Sequence, residues 1–260
     1  MDMNTCLQMP SFDISIYERG ATDAENVALV LPGFLDSKDY PHMHAHVDFL
    51  ASKGYYAIAF DPPGTWESGG DIEQYTISAY MQAIVELIAY FGNRPTLLMG
   101  HSLGGMMAQL VAARNDYVVA LVAIMSPASF VREQDGVVYG AGVPMSEWRK
   151  NGVRLSRRDL PTDPKARRSF AVPFSSFGQD AGQYNTLAGL KASTVPKLFI
   201  AGKHDTSITP TMVQQTYQAA AEPKVFALLD SDHNYRHHPD LIQEVNGMVG
   251  DFLDHFDLSA

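Results

Sequence analysis

The sequence is poor in cysteine and in positive charge, and these shortages exclude several classes of protein. Cys6 is the only cysteine among 260 residues, so neither an intrachain disulfide framework nor a zinc site built from several thiolates can form. The 19 Lys and Arg residues are outnumbered by 29 Asp and Glu residues, giving a formal net charge of −10. We therefore expect no nucleic-acid partner, because binding to phosphates requires a basic surface.

Long apolar runs and a basic start are also missing. No uninterrupted apolar stretch in the sequence approaches the roughly 20 residues that a membrane-spanning helix needs. The first residues, MDMNT, lack the basic region of a secretion signal. We therefore expect a cytoplasmic protein with no membrane partner, either a monomer or a homodimer.

Short apolar runs alternate with amphipathic segments along most of the chain. The runs Val27–Leu31 and Tyr56–Phe60 are typical of strands covered on both faces, as in parallel sheets. After Thr76, a residue suited to cap a helix, apolar side chains recur at helical spacing. This alternation predicts an α/β fold with a mostly parallel, doubly wound sheet. Further predicted strands are 11–18, 96–99, 118–125, 197–201 and 225–229, and further predicted helices are 104–114, 210–221 and 239–256.

One segment interrupts the alternation. Residues 129–193 show no clear strand run, and a plain loop of that length is uncommon in a compact domain. We predict a small helical cap or lid insertion there, with a core domain formed by residues 1–128 and 194–260. From Val131 to Leu190 nine basic residues outnumber six acidic ones, so this part carries +3 and the rest −13. That charge could steer carboxylate-bearing substrates, or it could form one solvated helix face.

The strongest chemical signal is a serine between a predicted strand and a predicted helix. Gly100, Ser102 and Gly104 match the pattern G-x-S-x-G of a nucleophile elbow. This tight turn presents the serine hydroxyl above the carboxyl edge of the sheet. The start of the following helix favours negative charge that develops nearby. We predict that Ser102 is a nucleophile.

A serine nucleophile needs a base and an orienting carboxylate, and in this architecture they follow in the order Ser, Asp or Glu, His. Asp205 follows the predicted strand 197–201, and His233 follows the strand 225–229. We predict that these two residues complete a catalytic triad with Ser102. His204 is an alternative base but precedes the acid in the chain. Asp230 and Asp232 are alternative acids, whereas His237 and His238 suit a surface or capping role.

Two backbone N–H groups are needed to stabilise an oxyanion. Leu103 directly follows the nucleophile, and Phe34 lies in the turn after the first buried strand, so we predict that these two residues form the oxyanion hole. His42 and His46 share one helix face, but no acidic residue has the spacing of a zinc helix. We therefore expect a solvated helix start there and no metal site.

The chain resembles the α/β-hydrolases, and within them the compact cinnamoyl or feruloyl esterases. The resemblance extends from Phe12 to Phe256. It implies the Ser102–His233–Asp205 triad, the Phe34 and Leu103 oxyanion hole, no cofactor, and a cap that lines the acyl or alcohol pocket. Four blocks carry it: Leu31-Pro32-Gly33-Phe34, the segment FDPPGTWES from Phe60 to Ser68, Gly100-His101-Ser102-Leu103-Gly104-Gly105, and Asp232-His233-Asn234-Tyr235.

These observations predict a serine esterase that cleaves small to medium acyl or aryl esters through an acyl-enzyme. A thioesterase or acyltransferase, and an amidase or peptidase, would use the same triad; a non-catalytic binding protein would share the fold without the reaction. The partner expected is a small-molecule ester. The predicted substrate pocket is formed by large apolar side chains at the entrance or in the insertion: Trp66, Tyr139, Met145, Trp148 and Phe174.

Overall fold

A computed structural model describes residues 5–140 and 142–259. The strands are β1 (Thr5–Gln8), β2 (Asp13–Arg19), β3 (Val27–Leu31), β4 (Tyr56–Phe60), β5 (Thr96–His101), β6 (Val118–Ile124), β7 (Val131–Gln134), β8 (Val137–Gly140), β9 (Val143–Pro144), β10 (Val153–Leu160), β11 (Asp163–Pro173), β12 (Lys197–Gly202) and β13 (Lys224–Leu229). The helices are α1 (Pro41–Ser52), α2 (Ile77–Tyr90), α3 (Leu103–Ala112), α4 (Met145–Asn151), α5 (Gln179–Ala181), α6 (Leu187–Ala192), α7 (Pro210–Ala219) and α8 (Pro239–His255).

Eight strands form the central sheet in the order β1-β2-β4-β3-β5-β6-β12-β13. The six strands from β4 to β13 run parallel to one another, whereas β1 and β2 are antiparallel to their neighbours. Helices α2, α3 and α7 cover one face of the sheet, and α1 and α8 cover the other. The predicted mostly parallel, doubly wound α/β sheet is confirmed.

The central strands form where the sequence is continuously apolar. Every residue of β3 and of β4 is buried, because helices cover both faces of the sheet at these positions. Helix α2 begins after Thr76, whose side-chain oxygen accepts a 3.0 Å hydrogen bond from the Ala79 N–H. Since the parallel strands end at one edge, the loops after β3, β5, β12 and β13 lie close together.

Helix α1 does not have the solvated start that the sequence suggested. The side chains of His42 and His46 lie against the sheet and α8, and both residues are 1% exposed. The His46 ring lies within hydrogen-bond distance of Asn246 Oδ1 (2.6 Å) and the Tyr235 hydroxyl (2.9 Å). The prediction failed because α8, which is distant in the sequence, covers this face of α1. No helix within the described residues has the length and apolar character that a membrane crossing requires.

The insertion between β6 and β12 is not mainly helical, which corrects the predicted helical cap. It contains the three-stranded sheet β7-β8-β9 and the two-stranded hairpin β10–β11, together with the short helices α4, α5 and α6. The strands of the hairpin are rich in arginine on both faces, as the β10 sequence VRLSRRDL shows. They therefore lack the apolar run or clean alternation by which a strand is identified.

Candidate active site

Ser102 lies in a strained turn between β5 and α3. Its backbone has φ 53° and ψ −118°, a conformation that residues with a side chain rarely adopt. The flanking glycines are needed because the turn is tightly packed. A Cβ atom on Gly104 would lie 2.0 Å from the carbonyl oxygen of Leu31, and one on Gly100 would lie 2.3 Å from the carbonyl carbon of Gly104. The predicted glycine pattern thus matches a steric requirement of this backbone.

The structure brings Ser102, His233 and Asp205 together in one hydrogen-bonded chain. His233 Nδ1 lies 2.7 Å from Asp205 Oδ2, and His233 Nε2 lies 3.1 Å from Ser102 Oγ. An ionised carboxylate only accepts hydrogen bonds, so Nδ1 carries the proton and Nε2 accepts the hydrogen bond that the serine hydroxyl donates. This is the arrangement in which a histidine can take a proton from a serine.

Asp205 is buried and held by its own loop. Its Oδ1 accepts hydrogen bonds from the N–H groups of Ser207 (2.7 Å) and Ile208 (2.8 Å), which leaves Oδ2 for His233. The alternative base lies elsewhere, because His204 pairs with Asp230 at 2.9 Å on the exposed surface. His237 and His238 lie beside the start of α8, and the His238 side chain makes no capping hydrogen bond.

The two predicted oxyanion residues both line the cavity that contains Ser102 and His233. Leu103 is the first residue of α3, and the N–H groups of a first helical turn have no acceptor inside the helix. Phe34 lies in the loop after β3, which is braced on both sides of it: Tyr80 donates to Pro32 O (2.9 Å), and Leu35 N–H donates to the Tyr75 hydroxyl (3.0 Å).

A strand of the insertion also holds this loop. The guanidinium of Arg158, on β10, donates from Nε (3.1 Å) and Nη2 (2.5 Å) to the carbonyl oxygen of Phe34. Arg158 Nε also lies 3.8 Å from Asp36, a buried carboxylate that accepts a short hydrogen bond from Arg236. Burial would raise the pKa of Asp36, but the two arginines outweigh it and hold that pKa below its usual value. The hairpin is thus connected to the predicted oxyanion loop by a charged hydrogen-bond network.

Three buried histidines, His42, His46 and His101, lie behind the nucleophile. The local sequence suggested a solvated helix start for His42 and His46, and it gave no signal for His101 beyond its place in the elbow. The ring centroid of His101 lies 4.8 Å from that of His233, and the ring centroid of His42 lies 6.4 Å from that of His101. Burial lowers the pKa values of His42 and His101 well below the usual value. It lowers the pKa of His46 to about 4. All three rings are therefore neutral at neutral pH.

The cavity in front of Ser102 has a different character. It has a volume of about 570 Å³ and lies between the sheet edge and the insertion. No aspartate or glutamate is among the described residues that line it, but three arginines are: Arg132, Arg154 and Arg158. The Arg154 guanidinium carbon lies 5.1 Å from the centroid of the Phe34 ring.

None of the five predicted pocket residues is among those that line this cavity, which corrects that prediction. Trp148 is fully buried, stacks on Phe177 and donates to Val172 O (3.0 Å). Trp66 packs on Phe170. Trp148 thus packs inside the insertion, whereas Trp66 joins the core to the insertion. Burial for packing is the common role of large apolar side chains. Of the remaining three, Met145 and Phe174 line a separate cavity, and Tyr139 lies on β8 opposite Arg132.

One acidic cluster within the described residues has the spacing of a metal site: Asp39, Asp61 and Glu67. The ammonium group of the buried Lys38 lies among them, 2.6 Å from Asp39 and 2.8 Å from Glu67. Burial lowers the pKa of Lys38, but the carboxylates outweigh it and raise that pKa. Burial raises the pKa of Asp61 to about 6. The positive charge in this cluster is therefore supplied by the protein itself.

The model of a family described as "Alpha/beta hydrolase family" matches residues 28–245. A relative from Rattus norvegicus, named "Palmitoyl-protein thioesterase ABHD10, mitochondrial", is 24% identical to this chain over 239 residues. The match covers 90% of this chain and 77% of the relative.

Two solved structures share the fold. The mouse alpha/beta hydrolase domain-containing protein 10 has a TM-score of 0.74 at 20% identity, covering 98% of this chain and 99% of the other. The Butyrivibrio proteoclasticus protein Est1E with ferulic acid bound has a TM-score of 0.72 at 18% identity, covering 96% and 98%. At these identities the likeness concerns the fold alone.

Proposed function

This chain belongs to the Alpha/beta hydrolase family, and we propose that within it the protein is a serine hydrolase that cleaves carboxylic esters with small to medium acyl or aryl groups. The observation that carries the proposal is the hydrogen-bonded chain from Asp205 through His233 to Ser102. A nucleophile, a base and an orienting acid in this geometry are what acyl transfer requires.

In the proposed reaction, Ser102 Oγ attacks the ester carbonyl while His233 Nε2 takes the hydroxyl proton. The N–H groups of Phe34 and Leu103 stabilise the oxyanion, and Asp205 stabilises the imidazolium that forms. Collapse of the tetrahedral intermediate breaks the bond to the alcohol oxygen, which takes the proton from His233. Water then attacks the acyl-enzyme with His233 again as base, releasing the acid and restoring the serine.

A thioester is the second candidate substrate, because the rat relative is named as a palmitoyl-protein thioesterase. The same residues would act, with a thiolate leaving group in place of an alkoxide. The cinnamoyl or feruloyl type remains a proposal that rests on the four sequence blocks. Rates for matched oxoesters and thioesters with the same acyl group would distinguish these substrates.

The cytoplasmic location and the monomeric or homodimeric state remain predictions. The word "mitochondrial" in the name of the rat relative describes that protein. Fractionation of cells that express this chain, and its mass in solution, would test the two predictions.

The direct test of the proposed function is reaction with a fluorophosphonate probe, which phosphonylates activated serines. We expect one adduct, on the peptide that contains Ser102, and its loss in the Ser102→Ala variant. Ser129→Ala is the matched control, because Ser129 lines the same cavity but its hydroxyl bonds to Tyr184 O. Esterase activity that survives in Ser102→Ala would disprove the proposal.

A further inference from the structure

The cavity next to Ser102 is cationic although the chain as a whole is acidic. The formal net charge of the protein is −10, yet Arg132, Arg154 and Arg158 line this cavity without any lining carboxylate among the described residues. A guanidinium cannot lose its proton in a protein, so its burial must be balanced by a partner. The three arginines differ in whether the protein itself supplies that partner.

Two of the three arginines are engaged by the protein. Arg158 donates two hydrogen bonds to Phe34 O and lies near Asp36. Arg132 donates to the carbonyl oxygen of Ser207. Burial lowers the pKa of Arg132, and the nearby charge of Asp205 partly opposes that effect. These two side chains thus hold the loops that carry the predicted oxyanion residue and the predicted catalytic acid.

Arg154 differs from the other two. Within the described residues its Nη1 atom is buried and has no hydrogen-bond partner, and no carboxylate there forms an ion pair with it at 4 Å or less. Burial and the neighbouring charge of Arg158 lower the pKa of Arg154 to about 10, so it is still protonated at neutral pH. Its planar donors lie over the Phe34 ring, at the wall of the cavity.

We propose that Arg154 forms a subsite for a carboxylate on the substrate, so that the preferred esters or thioesters carry a negative charge. This inference rests on the proposed function, since it places the scissile carbonyl at Ser102. Phe34 relates the two positions: its N–H belongs to the predicted oxyanion hole, and its ring lies under the Arg154 guanidinium. A carboxylate there gains charge-assisted, bidentate hydrogen bonds. A long alkyl chain in this cavity would leave the guanidinium unpaired.

The test compares charged esters with neutral esters of the same shape. One pair places the charge on the acyl group: the mono-4-nitrophenyl ester of adipic acid and its methyl-capped diester. A second pair places it on the leaving group: 4-acetoxybenzoate and methyl 4-acetoxybenzoate. In Arg154→Gln, we expect the ratio of kcat/KM for the charged ester to that for the neutral one to fall about 10- to 100-fold in at least one pair.

Arg157→Gln is the matched control. Arg157 is the exposed neighbour of the half-buried Arg158 on β10, so the ratio should not change in this variant. Arg154→Lys, which keeps the charge without the planar fork, should recover part of the ratio. An unchanged ratio in Arg154→Gln would overturn the proposal. 4-Acetoxyphenyl phosphate is measured alongside these esters. An effect of Arg154→Gln confined to this substrate would also overturn the proposal, because the anion recognised would then be a phosphate.

Binding of benzoate, with methyl benzoate as the neutral comparison, separates this proposal from the proposed function. Calorimetric titration of the wild type should show benzoate binding that Arg154→Gln loses. If no ester is hydrolysed but this binding difference is present, the proposed function fails and the subsite stands. If esters are hydrolysed but benzoate binds both proteins equally, the subsite fails alone.

Discussion

Ser102 lies between two regions of different charge: a group of buried histidines behind it and the arginine-lined cavity in front of it. Behind it, His42, His46 and His101 are neutral because burial lowers their pKa values. In front of it, Arg154 keeps its charge because burial lowers its pKa only to about 10. The comparison shows that burial has two outcomes: a histidine can avoid the cost by losing its proton, whereas an arginine keeps its charge and needs an acceptor or an anion as a partner.

The catalytic triad lies between these two regions, and we expect the largest loss of activity from a substitution in it. Asp205→Asn removes the acceptor that fixes the proton on His233 Nδ1, so kcat should fall about 10³- to 10⁴-fold. Steady-state hydrolysis of a neutral 4-nitrophenyl ester would measure this loss. Asp230→Asn is the control, because Asp230 pairs with His204 on the surface. An equal kcat in Asp205→Asn and the wild type would remove Asp205 from the mechanism.

Because the three buried histidines are neutral, we predict that the protein loses stability in acid. Unfolded histidines take up protons near pH 6.5, whereas the three buried rings do not, so lowering the pH favours the unfolded chain. Asp61 acts in the opposite direction, because its pKa of about 6 lets the folded state take up a proton. The net loss in the free energy of unfolding between pH 7.5 and pH 5.5 should be about 3 kcal/mol.

Urea unfolding at the two pH values would measure this loss. His46→Gln removes one of the three titrating groups, which contributes about 1.4 kcal/mol, so the pH-dependent loss should shrink from about 3 to about 2 kcal/mol. A wild type that is equally stable at both pH values would show that these rings are not held neutral.

The smallest effect concerns the contact between the insertion and the oxyanion loop. Arg158→Gln removes the two hydrogen bonds to Phe34 O, which loosens the position of the Phe34 N–H. For a neutral ester, kcat should fall about tenfold with little change in KM, since an oxyanion donor acts in the transition state. Arg168→Gln on β11 is the control, because Arg168 bonds to Trp66 O instead. A change in KM alone would assign Arg158 to substrate binding.

The core could be predicted from the sequence because strands that are covered on both faces are continuously apolar. Strands β3 and β4 are continuously apolar and have the predicted bounds. The nucleophile elbow and the order of Ser102, Asp205 and His233 could also be predicted. The strand ends and the glycines that determine the position of these residues are local features of the sequence. The structure then brings these three side chains within hydrogen-bond distance.

The insertion and the pocket could not be predicted in the same way. Arginines lie on both faces of the hairpin β10–β11, so neither an apolar run nor a regular alternation of polar and apolar residues marks its strands. Apolar character did not separate Trp148, which packs inside the insertion, from residues that face the cavity. The His42 ring lies against the rings of His101 and Tyr235, which are distant in the sequence, so its burial leaves no trace in the local sequence.

The most direct test of the account is detection of the acyl-enzyme. Wild-type protein mixed with excess 4-nitrophenyl ester and quenched in acid should release a burst of nitrophenol near one equivalent, provided that deacylation is the slower step. Peptide mass spectrometry should then place the acyl mass on Ser102. An acyl group on another residue, or continued turnover by Ser102→Ala, would contradict the account.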